Sequence, residues 1–446
     1  MKNYITKLLN IDPETIDTLN IISLDDSTTF EISLIPTYPD CPFCGSKTKI
    51  HGKNRPKTIN HPKLSDERCT ILFHSTRYMC TCCGKTFSED NPFSFSGFKN
   101  TYFSINQIMK DLANLHLTFK DIADKNHIST TTVQHYSDSF INFPRLSLPE
   151  NIGIDELHSS MASRTNSHYI CVMVDNNKRV PFEILPSRSK KALSNYFSNI
   201  PREERMKVKY FTMDMWEPYK DVAEIYLPNA EIAVDTFHVI KHLEDALTRA
   251  RINVQKQFEY ESDAYYLLKT WHKLLEHNIY LDNEPKYNKR FKSKVNKRQI
   301  LEMILLLDEN LKKAYELKEL YLEFNEIATM ENASQKFEEI YKKFIEADIP
   351  EYREFTRMIN YWKEEIINSF HRPYDNRKQT NALCENINGR IREYLVISNG
   401  ITNFTRFRKR VLYALNKTIL YRINDNLRSD KYEGIKRGKY NKKIIK

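Results

Sequence analysis

The stretch VKYFTMDMWEPY, residues 208–219, contains a strand-like segment that ends on a carboxylate. The β-branched and aromatic residues up to Thr212 favour a strand, and polar residues follow Asp214. An isolated Asp at such a position often only caps the next turn. The neighbouring segments of the sequence therefore decide between a structural and a chemical role for Asp214.

The segments around this stretch predict a mixed α/β sheet. Three strand-like runs, two of them forming a hairpin across Asn176-Asn177, are followed by a helix and then by the stretch itself. This order suits a ribonuclease-H-like sheet, in which the first strand and the strand after the helix lie side by side. Asp155, in the first strand, is then adjacent to Asp214. The predicted elements are strands at 151–158, 168–175 and 179–188, a helix at 189–200 and a strand that begins at Val208 and ends on Asp214.

A second acidic residue competes for the position of Asp214. Asp235 also ends a short strand-like run, AEIAVD, and is followed by Thr-Phe-His. Asp214 is preferred because it follows the first helix after three strands. His238 could hold Asp235 or contact DNA, although a lone histidine is often only a hydrogen-bonded structural residue.

A long helical region separates these strands from a third candidate acid. Residues 241–372 carry amphipathic repeats with charges on the outer faces, which predicts an all-helical insertion. After Pro373 a new helix starts, with Thr380 or Asn381 as its cap, and Glu385 lies about one turn inside it. Asn381, Glu385 and Asn388 share one face of that helix by their spacing.

Two carboxylates at neighbouring strand ends and one from a helix would form an anionic cage of oxygen ligands. Mg²⁺ and Mn²⁺ suit such ligands, and a pair of ions about 4 Å apart can activate a water or a 3′-hydroxyl for attack on a phosphodiester. The sequence contains no GxxxxGK[ST] loop for nucleotide phosphates and no nucleophile elbow. Metal-dependent phosphodiester chemistry is therefore favoured over nucleotide hydrolysis or acyl transfer.

The amino-terminal region carries two CxxC pairs, each followed by Gly. Cys41, Cys44, Cys80 and Cys83 can supply four thiolates to a tetrahedral zinc ion. Reduced cysteines in a small core are the alternative. The 35 residues between the pairs exceed the usual spacing, so other ligands stay open, namely Cys82 in place of Cys83, and Cys69, His51 and His61.

A helix-turn-helix pattern follows in LTFKDIADKNHISTTTVQHYSDSFI, residues 117–141. Phe119, Ile122 and Ala123 line one face of the first helix. Ser129 can cap the second helix, on which Val133 and Tyr136 lie inward. Any two packed short helices can give this pattern. If the motif binds DNA, the second helix presents to a major groove the polar residues Thr130, Thr131, Gln134 and His135.

Composition is consistent with a nucleic-acid partner. The 446 residues include 68 Lys and Arg against 58 Asp and Glu, a formal net charge of +10 that favours a polyanion such as double-stranded DNA. No apolar stretch reaches the roughly 20 residues needed to cross a bilayer, and the start lacks the features of a signal peptide. We expect a cytoplasmic protein with no membrane partner.

The sequence resembles the DDE transposases of the ISL3 group of bacterial insertion sequences. The resemblance covers most of the chain and rests on CPFCG, RYMCTCCGKTF, the helix-turn-helix, IGIDE, TMDMWEPY, LPNAEIAVDTFHVIK, TNALCENINGRIR and NGITNFTRFRKR. It implies that Asp155, Asp214 and Glu385 form the catalytic triad, and that Asp235 and His238 match a D-x-x-H element. It further implies that the protein is associated with the nucleoid and forms a homo-oligomer on DNA, where it binds terminal inverted repeats and catalyses cleavage followed by strand transfer into target DNA.

Two functions other than transposition stay open: a noncatalytic zinc and helix-turn-helix regulator derived from a transposase, and a structure-selective metal-dependent nuclease.

The sequence as a whole predicts a multidomain α/β protein. The expected parts are a zinc-binding domain at 1–95, a helix-turn-helix domain at 96–148, a catalytic domain at 149–240 and 373–425 interrupted by the insertion at 241–372, and a basic tail at 426–446.

Overall fold

The computed structural model of the protein describes residues 6, 9–64, 67–159, 168–276, 280–281, 283–373, 376–398 and 400–423. Within this part the chain forms two compact units. The first comprises described residues of 1–144 and 392–446, and the second comprises Arg145–Ile391. The basic tail predicted at 426–446 lies outside the described residues.

The first unit contains two small sheets. One has the order β1-β2-β5-β4, with β2 and β5 parallel and the outer pairs antiparallel, and the other has the antiparallel order β3-β6-β7. Phe30, Ile32, Ile71 and Phe73 form the core of the first sheet. The strands are β1 (Ile16–Leu24), β2 (Ser27–Leu34), β3 (Thr48–Lys53), β4 (Lys57–Leu64), β5 (Glu67–His74), β6 (Thr76–Cys80) and β7 (Thr86–Ser88).

Three helices follow in the same unit: α1 (Tyr102–Leu112), α2 (Phe119–Lys125) and α3 (Thr130–Phe140). Ser129 caps α3, since its hydroxyl accepts a hydrogen bond from a backbone amide one turn inside the helix. The inward residues Ile122, Val133 and Tyr136 are buried in a common core, as their spacing predicted.

The second unit is built on a five-stranded sheet of order β10-β9-β8-β11-β12. β8, β11 and β12 are parallel, whereas β9 and β10 are antiparallel to their neighbours. β9 and β10 are buried along nearly their whole length, which explains their continuous apolar sequence. The strands are β8 (Asn151–His158), β9 (Tyr169–Asp175), β10 (Val180–Leu185), β11 (Tyr210–Met213) and β12 (Glu231–Val234).

Helices make up most of the remaining chain. Phe211 of the sheet belongs to the same continuous core as Leu311 and Phe324 of the insertion, so the insertion is packed within the second unit. The helices, in chain order, are α4 (Lys190–Ser198), α5 (Arg202–Arg205), α6 (Glu217–Tyr226), α7 (Thr236–Gln255), α8 (Asp263–Thr270), α9 (Lys297–Leu305), α10 (Glu309–Ile327), α11 (Ala333–Ala347), α12 (Arg353–Tyr361), α13 (Lys363–Asn368), α14 (Ala382–Ile397) and α15 (Phe404–Leu415), with short 3-10 helices at Pro13–Thr15, His272–Leu275 and Pro350–Tyr352.

The prediction of an all-helical insertion is corrected at one place. β13 (Lys286–Asn288) and β14 (Ser293–Val295) form a small antiparallel hairpin between α8 and α9. The side chain of Asn288 accepts hydrogen bonds from the backbone amides of Arg290 and Phe291, which closes the turn. No helix in the described part of the chain combines the length and apolar character needed to cross a membrane.

The described residues after position 391 belong to the first unit, although the sequence suggested one catalytic segment at 373–425. The reason lies in α15, where Arg410 is fully buried. Its Nη2 donates to the carbonyl oxygens of Asn114 and Leu117 at 3.0 and 2.8 Å. These bonds connect α15 to the loop that precedes α2.

Candidate functional site

Two neighbouring parallel strands bring the first two predicted acids together. β8 and β11 pair in a register that sets Thr212 opposite Gly153. Two residues further along each strand, Asp214 therefore lies beside Asp155. The ligand atoms of Asp155, Glu156 and Asp214 lie within 4.8 Å of one another. The order of the elements therefore predicted the proximity of Asp155 and Asp214 correctly, whereas Glu156 was not expected there.

A second group of side chains shares Asp214 with the first. β12 continues the parallel sheet, and Asp235 directly follows it as Asp214 follows β11. The ligand atoms of Asp214, Asp235 and His238 lie within 4.8 Å of one another, and His238 Nε2 is 3.1 Å from Asp214 Oδ2. The two aspartates that competed in the sequence thus lie in one site, and His238 contacts Asp214.

Two buried amide side chains at and just before α14 contact the carboxylates of Asp155 and Asp214. Asn381, just before α14, donates from Nδ2 to Asp214 Oδ1 at 3.0 Å and to the Ile154 carbonyl at 2.9 Å. Asn388 donates from Nδ2 to Asp155 Oδ2 at 2.7 Å. Both asparagines have no exposed surface. Their shared helix face was visible in the sequence, but its role in orienting the two carboxylates was not.

Glu385 lies on α14 between these asparagines, and its side chain is exposed. It is not part of either close group of ligand atoms among the described residues. The pKa of Asp235 is raised, first by burial and to a smaller extent by the negative charge of Glu385. Glu385 thus acts electrostatically on the site but stands apart from the closest carboxylates.

The site concentrates negative charge in a poorly solvated place. Burial raises the pKa of Asp155 to about 6, and burial together with the charge of Asp155 raises the pKa of Asp214 to about 8. Buried acids so close together favour a proton or a cation among them. Their hard oxygen ligands, with one imidazole, fit Mg²⁺ or Mn²⁺.

Arg188 and three aromatic side chains surround the carboxylate of Glu156. Arg188 forms an ion pair with Glu156, and its guanidinium group lies 4.1 Å from the ring centre of Tyr169 and 4.5 Å from that of Trp216. Tyr219 donates its hydroxyl to Glu156 at 3.1 Å. The stretch VKYFTMDMWEPY thus supplies Trp216 and Tyr219 to the site as well as Asp214.

Four of the clustered cysteines form a separate site in the first unit. The Sγ atoms of Cys41, Cys44, Cys80 and Cys83 lie within 4.8 Å of one another, with Cys41–Cys83 at 3.7 Å and Cys44–Cys80 at 3.4 Å. A tetrahedral zinc ion with Zn–S bonds of about 2.3 Å requires sulfur separations of about 3.8 Å, so the cluster fits zinc.

The local backbone prepares these thiols for a metal. Gly45 and Gly84 follow the two pairs with positive φ, a conformation that glycine adopts readily. The amides of Cys82 and Cys83 donate to the Cys80 sulfur at 3.3 Å, and hydrogen bonds from Ser46 lower the pKa of Cys44 to about 6. These effects favour the thiolate forms of Cys80 and Cys44, whereas burial and the adjoining thiols raise the pKa of Cys83 to about 12.

The alternative zinc ligands do not join this cluster in the part of the chain that the structure describes. Cys69 is buried in β5 within the sheet core, and His61 Nδ1 lies 3.2 Å from the Thr101 hydroxyl. His51 is exposed on β3, and Cys82 is exposed beside the cluster. The geometry thus selects Cys83 over Cys82.

The four predicted DNA-contacting residues occupy the first two turns of α3. Thr131 and His135 are exposed, whereas Thr130 and Gln134 are partly buried. Thr131 and His135 also line a cavity of about 670 Å³ between α3 and the loop that contains Lys99. Thr131 and His135 are therefore the most accessible of the four for contact with a ligand.

The chain belongs to the ISL3 family of DDE transposases, because the model of that family matches residues 152–411, more than half of the chain. The family indicated by the sequence motifs is thereby confirmed. The matched region contains Asp155, Asp214, Asp235 and Glu385, while the cysteine cluster and the helix-turn-helix precede it.

The chain is also similar to a known transposase. The transposase for insertion sequence element IS1001 of Bordetella parapertussis is 26% identical to this chain over 260 residues. The aligned part covers 57% of this chain and 63% of that transposase, so the chain spans less than two thirds of its relative.

Proposed function

We propose that the protein binds the terminal inverted repeats of an insertion sequence and catalyses metal-dependent DNA cleavage and strand transfer. The observation that carries the proposal is the close pair of Asp155 and Asp214 on neighbouring parallel strands. Membership of the DDE transposase family supports the reaction class. Such a protein works on chromosomal DNA in the bacterial cytoplasm.

The sheet supports a ribonuclease-H-like catalytic domain. If β8 to β12 are counted as strands 1 to 5, their order in the sheet is 3-2-1-4-5. Only strand 2, which is β9, lies antiparallel to both of its neighbours. Asp214 and Asp235 directly follow β11 and β12, and Asp155 lies within β8 beside them. The helical insertion separates this sheet from α14, which returns to the acids through Asn381 and Asn388.

Each side chain of the site has a distinct part in the proposal. Asp155, Asp214 and Glu385 would hold the metal ions, Asn381 and Asn388 orient the two aspartates, and His238 and Asp235 assist at Asp214. When bound, Mg²⁺ or Mn²⁺ activates a water or 3′-hydroxyl and stabilises the leaving oxygen. Glu385, which stands apart from the close groups, completes the ligand set when DNA is bound.

The first unit supplies DNA recognition in this proposal. The cysteine cluster binds one structural zinc ion, and α3 enters a major groove with Thr130, Thr131, Gln134 and His135. Two copies or more are required, because a transposition complex must hold both ends of the element. The net charge of +10 supports binding to a polyanion.

The test incubates the purified chain with labelled DNA that carries the ends of its own element, a target plasmid, and Mg²⁺ or Mn²⁺. We expect nicked ends and joined products that an excess of unrelated DNA does not suppress. Products equally suppressed by unrelated DNA would indicate a structure-selective nuclease. Specific end binding without metal-dependent products would indicate a noncatalytic regulator.

The role of Glu385 is tested with a matched pair of variants on α14. Glu385→Gln removes the proposed ligand, whereas Glu393→Gln removes an exposed carboxylate two turns further along the same helix. We expect loss of cleavage only for Glu385→Gln, with end binding retained by both. Normal cleavage by Glu385→Gln would remove this residue from the catalytic set.

A further inference from the structure

Arg188 lies beside the acidic site, in the loop between β10 and α4. The two close groups of ligand atoms contain four carboxylates, those of Asp155, Glu156, Asp214 and Asp235. Among the described residues, Arg188 is the only lysine or arginine that forms an ion pair with any of them. A phosphate that approaches these acids therefore meets one positive side chain besides any bound metal ion.

Contacts with three neighbours hold the guanidinium group of Arg188 in place. Its Nη1 donates to Glu156 Oε1, and the Tyr219 hydroxyl donates to Glu156 Oε2 at 3.1 Å, so that this carboxylate is itself held. The ring centres of Tyr169 and Trp216 lie 4.1 and 4.5 Å from the guanidinium carbon, within the range of cation–π contacts. An arginine restrained in this way loses little side-chain freedom when a ligand binds.

One edge of the guanidinium group is open. Nε and Nη2 of Arg188 donate to no hydrogen-bond acceptor in the part of the chain that the structure describes, and neither of them is a fully buried atom. The side chain as a whole is 26% exposed. Since Nε and Nη2 lie on the same edge of a planar fork, they can donate together to two oxygens of one phosphate.

This open edge is close to the place where the reaction is proposed to occur. The ligand atoms of Glu156 lie within 4.8 Å of those of Asp155 and Asp214, and Arg188 is one hydrogen bond away from Glu156. Metal–oxygen bonds of about 2.1 Å place a metal-bound phosphate at the surface of this group of acids, next to the arginine. A donor held in advance beside such a phosphate stabilises charge without the cost of reorganisation.

We propose that Arg188 binds a non-bridging oxygen of the scissile phosphate and stabilises the negative charge that develops there during cleavage. This inference rests on the proposed function, because it adds a substrate contact to the same reaction. Water or a 3′-hydroxyl gives a proton to solvent and forms the new bond to phosphorus, while the bond to the leaving oxygen breaks and that oxygen takes a proton from solvent. Arg188 keeps its protons throughout, and Glu156 is a positioning residue that acts through it.

The first experiment measures single-turnover nicking at saturating DNA and Mg²⁺. Arg188→Gln should be about 100-fold slower than the wild type, the loss expected for one donor to a developing oxyanion. Arg188→Lys should lose less, because it keeps the charge but not the fork, and it carries the test if the glutamine variant does not fold. The control Arg202→Gln, which changes an exposed arginine on α5, should keep the wild-type rate. A wild-type rate in a folded Arg188 variant would overturn the proposal.

The second experiment measures Mn²⁺ binding in the absence of DNA by calorimetry. Removal of a positive charge beside the acids does not weaken their attraction for a cation, so Arg188→Gln should bind Mn²⁺ at least as tightly as the wild type. Weaker Mn²⁺ binding by this variant would show that Arg188 acts on the metal site through Glu156, and would overturn the contact with phosphate.

The third experiment locates the phosphate on the DNA. Single phosphates at the element end are replaced in turn by neutral methylphosphonates, and the binding of each DNA is measured. Replacement of the scissile phosphate should weaken wild-type binding about tenfold, but should have no further effect on Arg188→Gln. Arg202→Gln should behave like the wild type. Losses that simply add in Arg188→Gln at every position would overturn the contact.

The outcomes separate this inference from the proposed function. A coupled phosphate without cleavage products from the wild type would support the arginine contact and contradict the transposase reaction. Cleavage by the wild type with additive losses at every phosphate would overturn the contact alone.

Discussion

Replacing Asn388 with leucine tests how the buried amides control the acidic site. Asn388 is fully buried and donates to Asp155 Oδ2 at 2.7 Å, which stabilises the ionised carboxylate. A hydrogen bond to a charged group contributes about 1.5–3 kcal/mol. Its loss should therefore raise the pKa of Asp155 by about one to two units, since one unit corresponds to about 1.4 kcal/mol.

The direction of the effect on activity follows from competition between protons and metal ions. The pKa of Asp155 is already raised to about 6 by burial, so the wild-type carboxylate is largely ionised above neutral pH. In Asn388→Leu more of it is protonated at pH 7, which weakens metal binding and slows cleavage. Because Asp214, with a pKa of about 8, must lose its proton as well, the acid limb of the pH–rate profile should steepen and move to higher pH by less than the rise at Asp155, and activity should recover in alkaline buffer.

The assay measures nicking of an end-containing DNA at saturating DNA across a range of pH. Asn386→Leu is the matched control, because Asn386 is exposed on the same helix. It should keep the wild-type profile. If folded Asn388→Leu binds DNA normally and shows the wild-type profile, the reasoning about Asp155 is refuted.

Three further predictions concern the first unit. Cys83→Ser should lose most of the bound zinc measured by elemental analysis while Cys82→Ser keeps it; the reverse result would make Cys82 the ligand. Burial lowers the pKa of His61 to about 4, so between about pH 6.5 and 4 the unfolded chain binds the proton first and the wild type loses up to about 3 kcal/mol as the pH falls. Urea unfolding of His61→Asn should lack this loss, and an unchanged pH dependence would contradict the assignment. Arg410→Met should destabilise the first unit by about 1.5–3 kcal/mol in the same assay, because the carbonyl oxygens of Asn114 and Leu117 lose a charged donor; a change below about 1 kcal/mol would show that these bonds are not stabilising.

The sequence predicted the parts of the site that depend on local pattern and element order. The apolar runs of β8 and β11 and the helix between them were sufficient to make Asp155 and Asp214 neighbours. The paired CxxC spacing likewise identified the thiol cluster, although the choice of Cys83 over Cys82 required the fold of the turn.

The remaining features depend on contacts that pattern does not encode. Alternation along a strand predicts that Glu156 faces away from Asp155, yet the two carboxylates lie in one group, because Glu156 is held by Arg188 and Tyr219 from other elements. The burial of Arg410 against a loop almost 300 residues earlier is equally invisible in the local sequence.

The most direct test of the central claim compares Asp214→Asn with the wild type under conditions of equal end binding. Asp245→Asn, an exposed aspartate on α7, is the control for the change in charge. The account predicts that Asp214→Asn binds the ends but gives neither nicked nor joined products with Mg²⁺ or Mn²⁺, while Asp245→Asn gives both. Nicked and joined products from Asp214→Asn at the wild-type rate would contradict the assignment of this acidic site as the catalytic centre.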